Sequence, residues 1–131
     1  MIEQKPIAWE ALNYTQRDEL VAERVLGWRK CTGPTLDKLW WKAPKGDREP
    51  QYFVPRYSSD LGDAWEIVDY FRDQIFSKRE RFFNELYQMF RVPGGDHPTW
   101  PHAMAFLKPE HLCVAALRAT GIEVDYVWRI N

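Results

Sequence analysis

The chain has 131 residues, 45% hydrophobic and 28% charged, with 18 Lys plus Arg against 19 Asp plus Glu. That length accommodates one hydrophobic core, so a single domain over residues 1–131 is expected, and the composition excludes a disordered or fibrous chain. The near-neutral balance excludes the global positive field by which non-specific DNA, RNA or membrane binders gather their partner. Two cysteines, Cys31 and Cys113, are too few for a disulfide framework. With no leader-like or membrane-spanning apolar run, a reducing cytoplasm is the expected compartment.

Residues 1–13 read as an N-terminal arm that docks through Ile7, Trp9 and Leu12. Thr15 is the expected cap of a short amphipathic helix over 16–26, with Val21 and Val25 one turn apart and Gly27 as its stop. Pro and Gly then punctuate runs rich in aromatic residues, which predicts strands at 36–42 and 51–54 in an antiparallel hairpin, with 28–31 as a third.

Ser58, Ser59 and Asp60 form a cluster of capping residues. Leu61, Ala64, Trp65, Val68, Phe71 and Ile75 follow at helical spacing. That stripe resumes at Phe82, Leu86 and Met89, so the helix either continues, with or without a kink, to about residue 91 or breaks near Ser77; continuation is favoured. Residues 92–107 are rich in Pro and Gly and read as an irregular loop holding Trp100. Pro109 opens a last helix over 110–120 that stops at Gly121, and 122–130 alternates as a terminal strand.

Three stretches carry a family resemblance. They are Leu20-Val21-Ala22-Glu23-Arg24-Val25-Leu26-Gly27-Trp28, Tyr57-Ser58-Ser59-Asp60-Leu61-Gly62-Asp63-Ala64-Trp65-Glu66-Ile67-Val68, and Pro109-Glu110-His111-Leu112-Cys113-Val114-Ala115-Ala116-Leu117-Arg118-Ala119-Thr120-Gly121. In this order they resemble the phage ABA sandwich domain. The resemblance implies an α+β fold, a small α/β/α sandwich with a mainly antiparallel sheet and helices on both faces. It also implies a phage-encoded accessory protein acting in the host cytoplasm, and proteins of that kind often counter host immunity. The chain departs from the family pattern between its second and last helices, where the family carries more strand.

The residues offer three candidate binding features. Arg56, Tyr57, Ser58 and Ser59 meet the N-terminus of the central helix, where free amides and the helix dipole attract anions, although ordinary capping accounts for the same residues. Trp40, Trp41 and Lys42 lie on one strand with the two indoles on opposite faces, suited either to stacking on a base or to the core. Lys78, Arg79 and Arg81 form a basic run that is either solvated surface or a phosphate-facing patch at a subunit interface. Asp96, His97, His102, His111 and Cys113 match no metal-site spacing, and no cofactor is expected.

The expected function is sequestration, without cleavage, of a nucleotide-derived immune signal such as a cyclic ADP-ribose isomer or a cyclic dinucleotide. Its site would comprise the residues of those three features together with Trp100, in a pocket completed by homo-oligomerisation. An inhibitor touching a host defence protein through exposed rings is the alternative. An enzyme degrading the signal with His97, His102 or His111 as base stands third, and a virion or assembly role fourth.

Overall fold

The computed structural model describes residues 5–32, 39–44, 49–90 and 106–127. Trp100 and most of the predicted 92–107 loop lie outside the described residues, as do Asp96, His97 and His102. Among those described, four α-helices occur: α1 at Tyr14–Arg24, α2 at Leu61–Arg72, α3 at Phe76–Met89 and α4 at Pro109–Ala119. The strands are β1 at Ile7–Ala8, β2 at Arg29–Thr32, β3 at Leu39–Lys42 and β4 at Val124–Asp125.

The core is built around α4. Every residue from His111 to Leu117 is buried, and α1, α2, α3 and β4 all pack against this helix. Cys113, Ala115, Ala116 and Ala119 keep its surface narrow, so neighbours approach closely while Leu112, Val114 and Leu117 fill the gaps. The expected α+β mixture is present, but one mainly antiparallel sheet is not: the described strands form two separate pairs. β2 and β3 pair antiparallel, with Lys30 opposite Trp41, and β1 pairs parallel with β4.

Several expectations are corrected. The cap of α1 is Asn13 and not Thr15, because the Asn13 side chain accepts from the Gln16 amide while the Gln16 side chain accepts from the Asn13 amide, a reciprocal box that satisfies two otherwise unpaired donors. The predicted strand at 51–54 reduces to one bridge, Gln51 to Trp41. Residues 28–31 do contribute a strand, and it is β2, not residues 51–54, that pairs along β3. The favoured continuous helix is instead two helices, broken at Asp73–Ile75, ahead of Ser77. Ile75 is extended at φ −60°, ψ 155°, which turns the chain so that the Phe71 and Phe82 rings stack 4.4 Å apart and nearly parallel.

The N-terminal arm docks as the apolar pattern indicates. Trp9 is fully buried, and Arg17 reaches it from α1: Nε and Nη2 both donate to the Trp9 carbonyl at 3.1 and 2.9 Å while the guanidinium lies 4.7 Å from the indole centroid. At the other end, Arg118 donates to the carbonyls of Val124 and Tyr126, tying the last strand to α4. No described helix is long and apolar enough to cross a membrane.

Candidate functional site

The expected anion site at the start of α2 is filled by the protein's own carboxylates. Asp60 is the cap, its side chain accepting from the Asp63 amide, and Asp63 in turn accepts from the Arg56 amide. Ser58 faces away from the helix: its amide and hydroxyl both donate to Asp18, at 2.8 and 2.6 Å. Burial raises the Asp18 pKa, opposed in part by those two bonds. Tyr57 is wholly buried, while Ser59 and Arg56 are exposed. Three carboxylates thus stand where an incoming phosphate was expected, and Coulomb repulsion disfavours that ligand there.

The Trp pair divides as strand alternation requires. Trp41 is a core residue with the Lys30 ammonium 5.4 Å from its centroid, whereas Trp40 is half-buried on the other face. There Trp40 meets Tyr52 edge to face at 5.8 Å, and Tyr52 meets Phe53 at 4.5 Å. Tyr52 and Phe53 are 42% and 66% exposed, so this face ends in rings that partly meet solvent. Lys42 is exposed at the strand end, opposite Arg29.

The basic run faces three surroundings. Lys78 donates to the Tyr70 hydroxyl at 2.8 Å, and the Arg79 guanidinium lies 5.6 Å from the Phe76 centroid. Arg81 lines a cleft of about 600 Å³ together with Arg118, Glu85, Glu123 and Asp125. The candidate residues therefore do not converge on one pocket among the described residues.

A different cleft went unrecognised in the sequence. About 430 Å³ in volume, it lies where α1 and α2 both end, lined by Leu26, Gly27, Trp28 and Pro44 on one side and by Glu66, Tyr70, Asp73 and Gln74 on the other. Behind its lining runs a chain of hydrogen bonds: the Trp28 indole donates to the Tyr57 hydroxyl, which donates to Glu66, each at 3.1 Å. Burial, then the Glu66 charge, pushes the Tyr57 pKa well up, so the phenol stays protonated. The usable signal was acid at helical spacing, Glu66 and Asp73, beside rings at 28 and 70.

Potential reactive groups are committed to structure. The Cys113 thiol is buried, donates to the Tyr57 carbonyl at 3.2 Å and is held protonated by burial. His111 is wholly buried, and its Nδ1 accepts from the Lys108 amide at 2.9 Å. Among the described residues no group of three or more His, Cys, Asp or Glu is placed to hold a metal ion.

No curated protein and no solved structure matches the chain. The profile of the phage ABA sandwich domain matches residues 19–117, which takes in the second half of α1, all of α2 and α3 and nearly all of α4, the helices that build the core. By that match over most of its length, the chain belongs to the phage ABA sandwich domain family.

Proposed function

We propose that this bacteriophage accessory protein is not an enzyme and works by contacting a host defence protein, with Trp40, Tyr52 and Phe53 as anchors. The partly exposed ring cluster on the outer face of β3, with Phe53 its most exposed member, carries the reading. Large aromatic side chains left in water beside polar groups are the usual core of a protein contact. The alternative requirement, basic and aromatic side chains gathered in one pocket, finds less support, since the named cations face separate surroundings. The test is affinity purification from phage-infected host cells, comparing wild type with Phe53→Asp. A host protein recovered stoichiometrically with the former and lost with the latter is the expected result. Equal recovery with both, or no partner with either, overturns it.

A second reading, sequestration of a cyclic ADP-ribose isomer or cyclic dinucleotide by a homo-oligomer in the host cytoplasm, draws on one observation. Arg81 and Arg118 line the 600 Å³ cleft, and a neighbouring cleft of about 500 Å³ adds Lys5 and Arg24 while sharing Gly121, Ile122 and Glu123. Among the described lining residues, four cations against Glu85, Glu123 and Asp125 leave a small positive excess. Native mass spectrometry with a panel of these nucleotides separates the cases. Intact ligand released on heating supports sequestration, cleaved product means an enzyme, and no complex leaves the protein contact standing.

A further inference from the structure

We infer that the cleft between the ends of α1 and α2 binds a guanidinium or alkylammonium group. Among the described residues its lining carries two carboxylates, Glu66 and Asp73, and no Lys, Arg or His. Neither carboxylate is ion-paired among the described residues. Asp73 is the C-cap of α2, and Val25, the C-cap of α1, lines the same cleft, so the negative ends of two helix dipoles add to the two formal charges. Lys78 is held on the hydroxyl of the lining residue Tyr70 and is not itself among the described lining residues.

The remaining walls suit the carbon portion of such a ligand. Leu26, Trp28, Pro44 and Tyr70 give a largely apolar lining for an alkyl chain, with the charges at one side. The volume of about 430 Å³ admits a side chain with its adjoining backbone as readily as a free amine. Glu66 is fixed by the hydrogen bond from Tyr57, which leaves its other oxygen available as an acceptor. Asp73 is exposed and spends only its backbone amide, on the Phe71 carbonyl, so its carboxylate is not needed to close the helix.

Two sources supply this chemistry: the Arg or Lys of a protein, and a small free amine. The test is titration of the intact chain, followed by amide chemical shifts, with N-acetyl-arginine methylamide, the matching citrulline derivative and agmatine. Saturable shifts centred on residues 25–28 and 66–74 are expected with the arginine derivative, at a dissociation constant on the order of millimolar for so small a fragment. The uncharged citrulline derivative should not produce them. Asp73→Asn should weaken binding about tenfold with the melting temperature unchanged, and Lys78→Ala should tighten it. Agmatine binding more weakly than the arginine derivative assigns the site to a peptide, and agmatine binding as well or better assigns it to a free amine. Equal binding of the citrulline derivative, or no shifts with either cation, overturns the inference. The ring cluster at Trp40 is not among the lining residues, so loss of this site leaves the protein-contact proposal to its own test.

Discussion

The indole N–H of Trp28 donates to the hydroxyl of Tyr57 across 29 positions of sequence, 3.1 Å from nitrogen to oxygen. Trp28 follows the glycine that ends α1, and Tyr57 precedes the cap of α2, so one hydrogen bond joins the exit of one helix to the entrance of the next. Both side chains are buried, and the phenol in turn donates a hydrogen bond to Glu66 at the rim of the acidic cleft. Hydrogen bonds linked in series polarise one another, which strengthens each and fixes the orientation of the carboxylate at the end.

Tyr57→Phe should therefore destabilise the fold by about 1 to 3 kcal/mol, because it leaves the buried Trp28 N–H without its acceptor. Glu66→Gln should cost much less, since Glu66 is exposed and an amide oxygen still accepts from the phenol. Urea midpoints of the two variants check the order. Equal midpoints would mean that the chain of bonds is incidental to stability.

The helices were the most legible part of the sequence, for reasons that particular residues make plain. Gly27 and Gly121 both sit at positive φ, 80° and 93°, where a stop was expected, and Pro109 does open the last helix. The break at Asp73–Ile75, close to the alternative near Ser77, was not the favoured reading because the apolar stripe runs in phase from Phe71 to Phe82, and the stacking of those two rings distinguishes a turn from a continuous rod. The site was less legible. Ser58 and Arg56 carry the residue types of an anion site, but Asp18, 40 positions away, takes the Ser58 donors. Sequence spacing does not reveal which carboxylate a fold will bring up against a cap.

Stability should fall as pH is lowered from about 6.5 to about 4. His111 is buried and neutral, and desolvation lowers its pKa to about 4, with the neighbouring Glu110 opposing that shift. Between its unfolded value near 6.5 and that folded value, the unfolded chain binds a proton the native state refuses, so acid favours unfolding, to a limit on the order of 3 kcal/mol. Asp18, raised by burial, acts in the opposite sense as pH falls through its raised value. Urea midpoints measured from pH 7.5 to 4.5 should decline for wild type and decline less for His111→Gln. Parallel declines would remove His111 as the cause.

Arg17→Ala should release the N-terminal arm. The guanidinium holds the Trp9 carbonyl with two donors and lies over the Trp9 ring, so its removal costs about 2 to 3 kcal/mol even though the Leu12 amide still donates to that carbonyl. Arg17→Lys should recover little, because an ammonium supplies neither the paired donors nor the flat face. Hydrogen exchange at the Ile7 amide, bonded to the Glu123 carbonyl at 2.9 Å, reports the release directly. Protection of that amide equal to wild type in Arg17→Ala would show that Trp9 docks without the arginine.

Substituting the two helix-terminating glycines separates backbone strain from packing. Gly121→Ala places a Cβ with no atom within 4 Å, so its whole cost comes from holding φ at +93°, roughly 1 to 2 kcal/mol. Gly27→Ala carries the same kind of strain at φ +80°, and its Cβ meets the Pro44 Cβ at 3.5 Å, an ordinary contact and not a clash. Both variants should thus lose similar stability in thermal melts. They should differ in binding, because Gly27 and Pro44 both line the acidic cleft and an added methyl group narrows it, whereas Gly121 lies outside it. Weaker titration by N-acetyl-arginine methylamide in Gly27→Ala, with unchanged titration in Gly121→Ala, is the expected pattern. Identical titration of the two would place the bound cation away from the α1 side of the cleft.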